Sequence, residues 1–90
     1  MVKKSVRARR LEWTRDESYR KGERWVGAID GRELATVVAL SQAWGGSVGY
    51  TLDMGALYTS GEASNVESGK RAAQGALSKA VRTLTAEPGA

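Results

Sequence analysis

Ninety residues make one small domain, which buries only a little over roughly half of its unfolded surface, so a partner or a second copy would add to its stability. The chain has neither histidine nor cysteine, which removes imidazole acid–base catalysis, thiol nucleophiles, disulfides, Cys/His zinc sites and the common triads. The net charge of +4 is unevenly placed: nine Lys/Arg face four Asp/Glu over 1–24, one faces four over 25–66, and four face two over 67–90. A basic excess of this kind attracts nucleic acid or an acidic protein surface, although solvated basic tails also occur.

Residues 1–9 hold Lys3, Lys4, Arg7 and Arg9 with few apolar residues and no period, as expected for a basic flexible arm. A single domain is expected over 10–84 and a flexible tail over 85–90, where Pro88-Gly89 breaks any helix. From Arg10 to Thr14 the residues alternate, Leu11 and Trp13 on one side and Glu12 and Thr14 on the other, the mark of a half-buried strand. The polar run Arg15 to Gly22 reads as a loop and Arg24 to Ile29 as a second strand.

Asp30-Gly31 lies between two apolar runs and predicts a two-residue type I′ hairpin, since both central residues must adopt positive φ. A third strand from Arg32 to Leu40 then follows, but Glu33 to Trp44 contains no glycine or proline and also fits a helix, so residues 33–44 stay open between strand and helix. Gly45-Gly46 ends that segment. Ser47 to Met54 alternates strictly, and Gly55 to Ala63 reads as a connection.

Beyond Ser64 the apolar period changes to a helical one. Ser64-Asn65-Val66-Glu67 fits a capping box, with Ser64 at the N-cap, and opens a helix from about 65 to 84. Val66, Gly69, Ala73, Ala76, Leu77, Ala80 and Leu84 form its apolar stripe. The expected fold class is α+β, a three- or four-stranded antiparallel meander packed on one C-terminal helix, with Trp13 and Trp25 as the bulk of the core.

The chemical motifs are weak. Gly45-Gly46-Ser47-Val48-Gly49 matches G-x-S-x-G, but no histidine exists to serve as base and a strand follows the serine. Ser68-Gly69-Lys70-Arg71 resembles the end of a phosphate-binding loop, yet Ser64 stands where its first glycine belongs and Arg71 where its Ser/Thr belongs. Lys70 and Arg71 still fall in the first two turns of a helix, whose N-terminus attracts anions; a solvated face and a phosphate contact are both open for them. Asp16, Glu17, Asp30, Glu33 and Asp53 lie in loops, turns and a strand face without a pocket to join them. No catalytic residue, metal ligand or cofactor is expected. Trp44, beside two glycines, is either a core residue or an exposed anchor for a protein or a base.

The segment from Gly61 to Leu77, with Ser68-Gly69-Lys70-Arg71-Ala72-Ala73 at its centre, resembles the last helix of a double-stranded-RNA-binding domain. That resemblance implies phosphate contacts from Lys70 and Arg71, but it covers about a third of the chain, and Leu11 to Thr14 reads as strand where that family begins with a helix. Strands followed by one helix also resemble DNA-binding modules of the AP2 and phage-integrase arm-binding type, in which the sheet enters the major groove. Trp25 to Ile29, Ser47 to Leu52 and the Gly61-Glu62-Ala63 entry to an alanine-rich helix resemble small uncharacterised proteins of phages and prophages of high-GC bacteria.

These readings converge on a non-enzymatic binding module. Nucleic acid is the preferred partner, through Lys3, Lys4, Arg7, Arg9, Arg10, Lys70, Arg71 and the exposed sheet face. The alternative is a phage-encoded inhibitor or adaptor that binds a host enzyme or defence complex, with Trp44 in contact. A homodimer is compatible with either. No run of about 20 apolar residues is present and the basic start is not followed by an apolar signal core, so a cytoplasmic protein is expected.

Overall fold

The computed structural model describes residues 9–85. Residues 1–8 of the basic arm, residues 86–90 of the tail and the side chains of Leu84 and Thr85 lie outside the described residues. Five strands, β1 (Glu12–Arg15), β2 (Gly22–Ile29), β3 (Arg32–Leu40), β4 (Val48–Asp53) and β5 (Tyr58–Ala63), form one antiparallel sheet in chain order, followed by α1 (Val66–Thr85). The α+β class and the meander are as expected. The sheet, however, has five strands instead of three or four.

The extra strand is β5, expected as a connection. Its outward residues Tyr58, Ser60 and Glu62 are exposed and its inward ones are Thr59, Gly61 and Ala63, so it carries no apolar alternation to announce it. Pairing along the whole of β4 forms it instead. Tyr50 of β4 lies over Gly61, covering the gap that a glycine leaves in a strand.

The ambiguity over 33–44 resolves as strand through Leu40, followed by a single 3-10 turn, Gln42–Trp44. β3 is the central strand and its hydrogen bonds run to both neighbours, a tertiary context that outweighs local helix propensity. Asp30 and Gly31 take φ of 53° and 79°, the positive values that a type I′ hairpin demands.

The helix also begins one residue later than the capping box implies. Asn65 is the N-cap, its Oδ1 accepting from the Ser68 N–H at 2.8 Å, while Glu67 turns to Lys70 at 3.8 Å. α1 packs mainly on β4, β3 and β5. A Cβ on Gly69 would stand 2.9 Å from a methyl of Val37, so helix and sheet approach closely at this glycine. Val37, Leu52 and Leu77 fill the centre, with Ala35, Ala73, Ala80 and Leu11 around them.

Trp13 and Trp25 are not the bulk of that core. Both are partly exposed, because α1 covers β3 to β5 and leaves the flank formed by β1 and β2 to be roofed by the two indoles. Trp13 lies flat over Gly27, where a Cβ would be 2.9 Å from the ring. Trp25 donates its indole N–H to Glu23 Oε1 at 3.0 Å.

Candidate nucleic-acid interface

The segment before β1 is held to the helix by the burial of Leu11 in the core and by the side chain of Gln74. Gln74 Oε1 accepts from the Leu11 N–H at 2.8 Å, and its Nε2 donates to the Arg9 carbonyl at 3.0 Å. An amide side chain offers the same donor and acceptor as a peptide group, so Gln74 satisfies this backbone much as a neighbouring strand would. The clamp brings residues more than sixty positions apart to a common surface: Arg10, Leu11, Trp13, Glu67, Lys70, Arg71 and Gln74 surround a depression of about 240 Å³.

The cations around it are in different states. Lys70 places its ammonium 3.7 Å from the centroid of the Trp25 ring and 5.9 Å from that of Trp13, and its side chain is only 17% exposed. It is held by two ring faces and Glu67, so it supplies field more than a reaching hand. Arg71 is exposed and donates to Ser68 Oγ at 3.4 Å, and Arg10 is exposed beside it.

Arg9 is placed differently. Its guanidinium grips both carboxylate oxygens of Asp30 across the β2–β3 turn, with Nη2 to Oδ1 at 2.9 Å. That hydrogen-bonded pair raises the pKa of Arg9 and lowers that of Asp30, in each case through the hydrogen bond first and the Coulombic attraction second. Lys3, Lys4 and Arg7 lie outside the described residues.

The exposed sheet face does not join this surface. Its centre is a cross-strand row of Thr14, Val26, Thr36, Thr51 and Ser60, and register puts Glu12, Glu33, Asp53 and Glu62 around it. On this face Arg24 is bonded to Asp16 Oδ2 at 2.9 Å, and Arg15 lines the same depression. Ser18, through its hydroxyl and backbone N–H, and then Arg24 hold the Asp16 carboxyl below its ordinary pKa. A face rimmed by carboxylates disfavours phosphate.

Trp44 is 55% exposed and so is not a core residue. The turn under it is well bonded: the N–H groups of Trp44 and Gly46 both reach the Ser41 carbonyl, at 2.9 and 3.0 Å, and Ser41 N–H reaches the Lys21 carbonyl at 2.8 Å. The Lys21 ammonium stands 4.8 Å from the Trp44 ring centroid. Sheet register places this turn at the same end of the molecule as the start of α1. Nothing in the sequence pattern signalled Gln74 or Lys21; both act through tertiary contacts.

Among the described residues no three acidic side chains converge where a metal could sit, and no helix is long and apolar enough to cross a membrane. Comparison with family models, with curated proteins and with solved structures finds no match.

Proposed function

We propose that this chain is a non-enzymatic nucleic-acid-binding module, a cytoplasmic accessory protein of the phage or prophage kind. Arg10 and Arg71 contact phosphates, Lys70 adds positive potential from its seat on Trp25, and Lys3, Lys4 and Arg7 add to the chain's positive charge. The observation that carries this reading is the Gln74 clamp, which sets Arg10 beside the basic start of α1. Trp44 and Lys21, at that end of the sheet, supply an aromatic platform for an unpaired base.

Fluorescence anisotropy with labelled duplex DNA, single-stranded DNA and duplex RNA, across a salt series, tests it. Affinity falls linearly with salt on logarithmic axes, and Arg10→Ala and Arg71→Ala each flatten the slope by about one unit. Unchanged affinity in both variants and in a chain lacking residues 1–9 would remove the proposal.

The exposure of Trp44 favours a second reading, a grip on a host protein. In that case binding responds weakly to salt, and Trp44→Ala costs about 2 kcal/mol or more of affinity.

A further inference from the structure

At the other end of the molecule from Trp44, the β2–β3 hairpin lies beside the helix. The buried stripe of α1 runs from Gly69, which meets Val37, through Ala73 and Leu77 to Ala80. A groove of about 570 Å³ opens there, floored by Ile29, Leu34, Met54, Leu77 and Val81. That volume falls in the range of small-molecule sites, about 300–1,000 Å³.

A strand irregularity supplies part of the floor. Gly27 pairs with Ala35 and Ala28 with Glu33, so Leu34 is an extra residue in β3 and sits with Ala35 on the helix side instead of alternating away. Bulges re-aim side chains in this way, often beside sites. The rim is charged and asymmetric. Arg9 occupies both oxygens of Asp30, which neutralises that carboxylate, whereas Arg32 has no side-chain partner among the described residues. An apolar trough with one uncommitted guanidinium at its mouth suits an acyl or alkyl chain that ends in a carboxylate.

We infer that this groove binds a medium-chain amphipathic carboxylate, the chain on Leu34 and Leu77 and the head group on Arg32. The inference is independent of the nucleic-acid surface. Methyl-resolved NMR on the full chain, titrated in parallel with decanoate and uncharged 1-decanol, tests it. Decanoate shifts the methyls of Ile29, Leu34, Met54, Leu77 and Val81 saturably, with intermolecular nuclear Overhauser effects to Leu34 and Leu77, and leaves the Trp25 and Lys70 signals still. Arg32→Ala, a rim substitution, weakens decanoate about tenfold and leaves decanol unaltered, as loss of a charge-assisted hydrogen bond requires. Three outcomes overturn the inference: no saturable shift below the micelle concentration, shifts scattered over the surface, or equal response of both ligands to Arg32→Ala. Overhauser contacts to Leu34 from another part of this chain, or from a second copy, would overturn it too, by naming a different occupant.

Discussion

Under α1, strands β3 and β4 present Ala35, Val37 and Leu52, all buried, whereas β1 and β2 present Trp13 and Trp25, both partly exposed. The first region is held by apolar packing against the helix. The second adds polar and charged devices to the burial of Leu11: the Gln74 amide on the backbone of Arg9 and Leu11, Lys70 on Trp25, and Arg9 on Asp30. The proposed binding surface is built on the second region. Its geometry therefore depends on contacts that salt, pH and single polar substitutions can alter, while the covered half acts as the support.

The largest effect expected is in the covered half. Leu77 is 2% exposed, and Leu77→Ala should cost about 2–5 kcal/mol, seen as a lower midpoint in denaturant. A loss under roughly 0.5 kcal/mol would show that α1 does not anchor the sheet as described.

Next comes the clamp. Gln74→Ala leaves the N–H of buried Leu11 without its acceptor and should cost about 1–3 kcal/mol. Hydrogen exchange at Leu11 should accelerate far more than at Val37 or Leu52. Nucleic-acid affinity should fall as well, because Arg10 is no longer held beside Arg71. Equal acceleration in both regions would erase the distinction between them.

Lys70→Met sharpens it further by keeping most of the apolar stem and removing the charge. Loss of the cation–π contact should cost about 0.5–2 kcal/mol, with a matching change in Trp25 fluorescence. No change in either would return Lys70 to the pool of solvated cations.

How much of this was legible follows from which forces are local. The helix was readable because its buried residues, Gly69, Ala73, Leu77 and Ala80, recur along one stripe, and the hairpin because Asp30-Gly31 is a local conformational requirement. β5 was not, because ladder pairing rather than its own apolar pattern makes it a strand. Of the site, the basic start of α1 could be named from Lys70 and Arg71, but the seat of Lys70 on Trp25 could not. Gln74 bonds to a backbone group 63 positions away, and a polar residue on a helix face carries no mark of such a contact.

The Arg9–Asp30 pair gives a smaller, pH-dependent effect. The folded state lowers the pKa of Asp30, so its contribution is present above the unfolded value near 4 and is lost as pH falls through the depressed folded value. Asp16 adds a contribution of the same sign. In an acid titration followed by NMR, Asp30→Asn should remove the shift of the hairpin signals between pH 4 and the folded pKa while leaving those of Leu52 and Leu77 alone. A hairpin that still responds would mean that the Arg9 contact is not formed in solution.

The smallest effect on stability, and the most telling for function, belongs to Trp44. Like Trp25 it carries a lysine on its ring, but at 4.8 Å instead of 3.7 Å, and with more than half of its surface open. The backbone bonds that hold its turn come from Ser41, Gly46 and Lys21 and do not need the indole. Trp44→Ala should therefore change stability by less than about 0.5 kcal/mol, and acrylamide should quench Trp44 more readily than Trp13 or Trp25. Affinity for single-stranded nucleic acid should nevertheless fall by about 1–3 kcal/mol, the worth of one stacked base. If affinity is untouched while Arg10→Ala and Arg71→Ala still weaken it, the contact is with phosphates alone. If Trp44→Ala unfolds the chain, this indole belongs with Trp25 as part of the scaffold, and the contrast between the two tryptophan–lysine pairs fails.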